Sequence, residues 1–185
     1  MLQHPPFVVE DMRSQRLSYR PLVAADASRI AALAGEWDVA RMTSRIPHPY
    51  SLIDADLWIA SIGDDEFVRG VEVDGELIGA VGYIQDADAQ AEIGYWIGKP
   101  WWGHGYATEA ARTLVQYCFN SGMFRRLTCG HFVDNQASAR VIAKLGFRRT
   151  GKSSQWCEAR QSDVETIQYA LRRPLLTAIW RRVAA

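Results

Sequence analysis

AEIGYWIGKPWWGHGYATEAARTLVQYCF, residues 91–119, decides the fold, because an extended run passes through a glycine turn directly into an amphipathic helix. Ala107, Ala110, Ala111, Leu114, Val115, Cys118 and Phe119 recur at i, i+3, i+4 spacing, and Asn120-Ser121-Gly122 stops the pattern. The spacing predicts a strand over 91–98 and a helix over 104–120. A helix start leaves its first backbone N–H groups without partners and carries the positive end of the helix dipole. Gly103 and Gly105 remove the side chains that would obstruct an anion there, so the turn reads as a cradle for a phosphorylated ligand. The plainer reading of Gly103-His104-Gly105 is a tight strand-to-helix turn and nothing more.

Working outward, FVDNQASARVIAKLGF at 132–147 predicts a second short helix over 135–145, capped by Asp134 or Asn135 and stopped at Gly146. Ser138 precedes Val141, Ile142 and Leu145 by three, four and seven residues and so shares their inward face. Upstream, RLSYRPL at 16–22 reads as a strand. Residues 24–35 read as a helix with Ile30, Leu33 and Ala34 inward, and 51–62 as another beginning at Ser51. Strands over 67–73 and 77–84 meet at Asp74-Gly75, a two-residue hairpin signal that would also fix their antiparallel register. Strands over 125–133, 147–157 and 163–172 complete the pattern, and Pro174 to Ala185 is a short helix or a loose tail. Strands mixed with helices make this an α/β (α+β) chain.

No repeat or low-complexity linker divides the 185 residues, so one domain over 1–185 is expected, with its core at 15–172 and terminal segments at 1–14 and 174–185. With 21 basic and 21 acidic residues spread along the chain, no nucleic-acid surface or membrane-facing basic strip is expected. No apolar run reaches the length of a membrane span, and MLQHPPFVVED lacks a signal-peptide pattern; a cytoplasmic protein is expected. Three cysteines at wide spacing suit neither disulfides nor zinc, and four scattered histidines form no ligand pair, so no metal is expected. Residues 146–153, GFRRTGKS, match the P-loop spelling GxxxxGKS, but they follow a helix and lead into an extended stretch, which is the wrong context for a nucleotide loop.

Together the two central segments resemble the GNAT superfamily of acyl-CoA-dependent N-acyltransferases. They resemble in particular its ribosomal-protein N-terminal acetyltransferase branch, through EIGYW, the W-G-x-G-Y-A-T-E-A run from Trp102 to Ala110, N-x-x-S from Asn135 to Ser138 and K-L-G-F from Lys144 to Phe147. RLSYRPL and RIPHPYS at 45–51 fit the same branch. The resemblance spans nearly the whole chain. It implies a mixed, mostly antiparallel sheet of about seven strands flanked by about four helices, with strands four and five splayed into a cleft. It implies transfer of an acetyl group from acetyl-CoA to a primary amine by direct attack in a ternary complex. Where the wider superfamily has Gln or Arg, this sequence has Trp102, a change that removes no backbone contact to phosphate.

By that resemblance the pyrophosphate of acetyl-CoA would sit on the amides of Trp102, Gly103, His104, Gly105, Tyr106, Ala107 and Thr108. The pantetheine arm would pair with the backbone around Tyr95, Trp96 and Ile97. Asn135 would cap its helix and touch the pantetheine, and Ser138 would point at the sulfur, where its plainer reading is a hydroxyl that back-bonds or caps the first turn. The tyrosine that many branches use as the acid is missing between Tyr117 and Tyr169, so Ser138, directly or through a water, would protonate the departing sulfur, or the thiolate leaves unaided. For the base, Glu92 leads on its alternating strand face with Gly94 and Trp96. Glu158 is the second candidate, and a water relay from a partly neutral amine would need neither. Arg41, Arg45, His48, Tyr50 and Trp58 are the candidate acceptor-site residues. A protein N-terminus, an antibiotic amine, a polyamine and an amino acid all fit the chemistry. The seven Trp and seven Tyr would serve an apolar acceptor, a homodimer face or simply the core. The other reading is a module of the same shape that binds acyl-CoA without turning it over.

Overall fold

Hairpin chemistry builds the centre of the sheet. In the computed structural model, which describes residues 12–85 and 90–173, strands β2 (Glu66–Val73) and β3 (Glu76–Gln85) join at Asp74 and Gly75, both with positive φ. The turn holds the register only as far as Glu72 opposite Leu77; a bulge then shifts it so that Val71 faces Gly79. One extra residue in β3, the fully buried Ile78, is absorbed there, so the turn alone does not set the register.

The complete sheet has the order β1-β2-β3-β4-β5-β7-β6, with β1 at Ser18–Arg20, β4 at Ala91–Ile97, β5 at Arg126–Phe132, β6 at Arg148–Cys157 and β7 at Ser162–Arg172. Every pairing is antiparallel except β4 with β5. Five α-helices cover it: α1 (Ala27–Ala34), α2 (Trp37–Ala40), α3 (Leu52–Ser61), α4 (Tyr106–Asn120) and α5 (Gln136–Lys144). The expected count of four missed α2, a single turn too short to carry a periodic signal. The expected helix over 24–35 begins instead with a 3₁₀ turn at Ala24–Asp26. Predicted strand 16–22 shrinks to three residues, while Gly146 follows α5 with φ +82 and β6 begins two residues later, so GFRRTGKS opens a strand.

Alternation assigns the two faces of the sheet. Val71, Ile78, Val81, Ile93, Ile97 and Leu127 pack with Leu114, Val115 and Cys118 of α4 and Ile142 of α5 in the larger core. On the other face Leu77 packs with Ile30 and Ala34 of α1 and Ala55 of α3, flanked by Trp58 and Trp96. Ile30, Leu114 and Ile142 are almost completely buried, each worth about 1.5–3 kcal/mol against exposure. Ser51 begins α3 by a reciprocal cap: its hydroxyl accepts the Asp54 N–H at 3.2 Å and its own N–H reaches the Asp54 carboxylate at 2.8 Å. Cys118, Cys129 and Cys157 are buried free thiols, Cys118 pushed up to about 12 by burial. Among the described residues no helix is long and apolar enough to cross a membrane. The expectations for 1–11 and for 174–185 fall outside the described residues.

Candidate active site

Strands β4 and β5 meet over only two residue pairs, Ala91 with Leu127 and Glu92 with Thr128, and then part. On its other side β4 stays paired with β3 along its whole length. The Gly98 N–H bonds the Ile78 carbonyl of β3 at 2.8 Å, so strand alternation turns the backbone groups of Ile97 and Tyr95 toward the open side and those of Trp96 toward β3. Of the three backbone positions expected to meet a pantetheine arm, two face the opening. The open edge has a fixed end, because the Trp102 indole donates to the Ile97 carbonyl at 2.6 Å.

Beyond Trp102 the chain turns through Gly103 and Gly105, at φ +83 and +82, into α4. These are conformations that side chains resist, and a Cβ on Gly103 would meet nothing within 4 Å, so the turn lies open. The first intrahelical bond to reach back to the turn runs from the Glu109 N–H to the Gly105 carbonyl at 3.1 Å, which leaves the Tyr106, Ala107 and Thr108 amides without helical acceptors. Strand edge and helix start border one cleft of about 1320 Å³, larger than a typical drug-sized pocket of up to about 1,000 Å³. Tyr95, Trp96, Ile97, Trp102, Gly103, Gly105, Tyr106, Ala107, Thr108, Asn135 and Ser138 all line it. His104 does not: it is exposed, with its ring stacked on Tyr106 at 5.6 Å.

On α5 the Asn135 side chain accepts the Ser138 N–H at 3.0 Å, the cap expected of it. Ser138 Oγ lies 2.8 Å from the Tyr95 hydroxyl. Burial pushes that phenol well above its usual range, with the Ser138 hydrogen bond acting in the opposite direction, so Tyr95 stays protonated. The side chain of Tyr95 was missed from sequence, where only its backbone was considered. The signal was present, since alternation over 91–97 puts Tyr95 on the face of Ile93 and Ile97, toward α4 and α5.

The opposite face of β4 carries Glu92, Gly94 and Trp96, turned toward α1 and α3. Glu92 lines the cleft, as do Arg41, Arg45, Tyr50 and Trp58. Four other carboxylates on the cleft wall are engaged. Asp38 holds Arg41 and Lys99, Asp54 caps α3, Glu66 pairs with Arg45 and Asp134 with Arg160. Glu92 makes no ion pair or hydrogen bond with a side chain among the described residues. Burial, reinforced by Asp54, raises the Tyr50 hydroxyl to about 12. Two candidates lie outside that lining. Glu158 sits in the turn after β6, in a shallow depression whose Ser44, Arg45 and Gln155 also line the cleft, which puts it at the cleft's margin. His48 is outside the lining, its Nδ1 3.0 Å from the Gly35 carbonyl and its ring edge-on to Trp37.

The family described as "Acetyltransferase (GNAT) domain" matches residues 16–148. The "Uncharacterized N-acetyltransferase YoaA" of Bacillus subtilis is 33% identical over 101 residues, 54% of this chain and 57% of that protein. The ribosomal-protein-serine acetyltransferase of Escherichia coli is 32% identical over 93 residues, 48% of this chain and 52% of that protein. The matches thus span about half the length of these two relatives. Among solved structures, the microcin C7 self-immunity acetyltransferase MccE in complex with acetyl-CoA and AMP has the same fold, with a TM-score of 0.76 and 19% identity over 86% of this chain and 93% of that one. The extent of the family match, together with a splayed sheet whose opening ends at a free helix start, places this chain in the GNAT acetyltransferase family.

Proposed function

We propose that the protein transfers an acetyl group from acetyl-CoA to a primary amine, with both substrates bound together in the cleft. The observation that carries this reading is the continuity of the open β4 edge with the unpartnered amides of Tyr106 to Thr108. An arm bearing amides of its own fits the first, and a pyrophosphate fits the second. The N–H groups of Tyr95 and Ile97, facing the opening, are the available donors for the thioester oxygen.

The two faces of β4 divide the labour. On the α1 and α3 side, Glu92 is the unengaged carboxylate that would receive an incoming ammonium and take its proton, directly or through water. The neutral nitrogen then attacks the acetyl carbon, the carbon–sulfur bond breaks, and the proton that the new amide nitrogen sheds passes through water to replace the one given to the sulfur. On the α5 side, the 2.8 Å contact between the Tyr95 and Ser138 hydroxyls allows either to donate; with Tyr95 as the donor, the Ser138 proton would be free for the departing sulfur. Arg41, Arg45, Tyr50 and Trp58 border the acceptor end, where a protein N-terminus and a small amine both fit. Calorimetric titration with acetyl-CoA tests the reading, with Gly105→Glu as control. Binding by the parent that the glutamate abolishes is expected, followed by thiol release on adding amines. A parent that does not bind overturns it, and binding without release against a broad amine panel favours a non-catalytic acyl-CoA module.

A further inference from the structure

The N-terminal stretch before β1 grips the turn that leads into α4. Arg16 donates from Nε to one Glu109 oxygen at 2.8 Å and from Nη2 at 2.7 Å, while its backbone N–H reaches the other oxygen at 2.9 Å. The Ser14 hydroxyl adds a bond to Glu109 at 2.7 Å. The remaining arm of the guanidinium, Nη1, donates to the His104 carbonyl at 3.0 Å, and the group lies 4.7 Å from the centre of the Tyr106 ring, on which His104 stacks. Arg16, His104 and Glu109 are not part of the cleft lining.

We propose that Arg16 is a positioning residue: acting from behind the cleft, it holds the 103–108 turn in the shape that receives phosphate. This rests on the acetyl-CoA reading above. An ion pair that merely tied β1 to α4 would need Glu109 alone. The third contact, to a carbonyl between two glycines at positive φ, is what ties down the flexible part. Glycines at these positions leave the turn many competing shapes, and a planar fork with donors on three sides selects one. The same guanidinium neutralises Glu109, which otherwise puts a carboxylate in the first turn of the helix whose start must attract an anion. Hydrogen bonds from Ser14 and Arg16 outweigh burial and hold that carboxyl below its usual range, so it stays charged and needs the arginine.

Two readouts test the clasp. In ligand-free protein, Arg16→Ala is expected to raise amide hydrogen exchange at residues 103–108 while the β2–β3 hairpin keeps its protection. If the unclasped turn holds the receptive shape about one-tenth of the time, acetyl-CoA binds roughly tenfold more weakly. KM for the donor rises by a similar factor while kcat at saturation stays within about twofold, since Ser138 and Tyr95 are untouched. Arg16→Lys keeps the charge and the fold but cannot hold Glu109 and the His104 carbonyl together, so it is expected to behave like Arg16→Ala. Arg16→Ala with Glu109→Gln is expected to recover part of the affinity by removing the stranded carboxylate. Unchanged exchange at 103–108 with parental donor KM in both single variants overturns the clasp. A parent that fails to bind acetyl-CoA overturns the donor reading instead, and exchange still decides whether Arg16 orders the turn.

Discussion

Replacing Ser138 with alanine removes the one side-chain partner that the Tyr95 hydroxyl has among the described residues, 2.8 Å away, and leaves that phenol stranded at the cleft wall. An unsatisfied buried polar group costs about 1–3 kcal/mol; with water able to enter the cleft, about 1–2 kcal/mol is expected here. In a chain of this size that lowers Tm by roughly 2–8 °C. Tyr95→Phe strands the smaller Ser138 hydroxyl instead, which still has the cleft to face, and costs less, about 0.5–1 kcal/mol. The double variant removes both polar ends and should be more stable than the sum of the single losses by about 1 kcal/mol. Turnover separates the two roles. Ser138→Ala should lower kcat by on the order of 10²–10⁴-fold, as for loss of a positioned proton donor, with acetyl-CoA affinity little changed. Tyr95→Phe, which loses one neutral hydrogen bond to that donor, should lower it by roughly tenfold. The assays are denaturation of the four proteins and thiol release at saturating donor. Additive stabilities would refute the coupling, and a parental rate in Ser138→Ala would remove the serine from the chemistry.

Glu92→Gln is expected to lower kcat/KM for the amine by about 10²-fold or more, with the deficit shrinking at high pH as the free amine supplies its own neutral form, whereas Glu158→Gln stays within about twofold of the parent; equal losses in the two variants would remove Glu92 from its role. Stability should have an acid limb. The Arg20 guanidinium holds the Asp26 carboxyl below its usual 3.8, and at Glu109 the bonds from Ser14 and Arg16 outweigh burial to hold it below 4.5. Depressed carboxyls contribute fully above those usual values and lose their contribution as pH falls through the lower folded ones. Denaturant midpoints should therefore be flat from pH 7 to about 5 and fall below about 4, and Asp26→Asn should flatten that fall; an unchanged slope in the variant would show that Asp26 is not its source.

Periodicity in the sequence located α4 and α5 to within two residues at either end, because each buries one continuous apolar stripe: Leu114, Val115 and Cys118 in one, Ile142 with Leu145 in the other. The hairpin at Asp74-Gly75 was legible for a similar reason, since few residue pairs accept two positive φ angles. What escaped depends on contacts between distant segments. The single turn α2 owes its place to Val39 and Ala40 packing beneath neighbours, and Ala40 meets Phe132 and Cys157 only in the folded chain. Cleft-lining backbone was readable from Gly103, Gly105 and the strand before them. The bonds from Tyr95 to Ser138 and from Arg16 to Glu109 join residues 43 and 93 positions apart; alternation gives the face on which Tyr95 lies, but nothing local names either partner. Glu158 was placed by its position between two strands, and the turn there leaves it at the margin of the cleft beside Ser44, Arg45 and Gln155.

The parting of β4 from β5 also says something about how the protein assembles. Strands β1 to β4 pair through connections between sequence neighbours, apart from the longer reach between β1 and β2, and β6 with β7 form a hairpin onto which β5 adds. Only two residue pairs join one half of the sheet to the other, with α4 and α5 packed across the join. Closing that junction requires contacts between segments far apart in sequence, the slow kind in folding. A ligand lying along the open edge of β4 while touching α5 would bridge both halves and bind only when they are docked. At a hundredfold excess over its dissociation constant such a ligand adds about 2.7 kcal/mol to the stability of the docked form, so the donor substrate would act as a fastener for the fold that binds it.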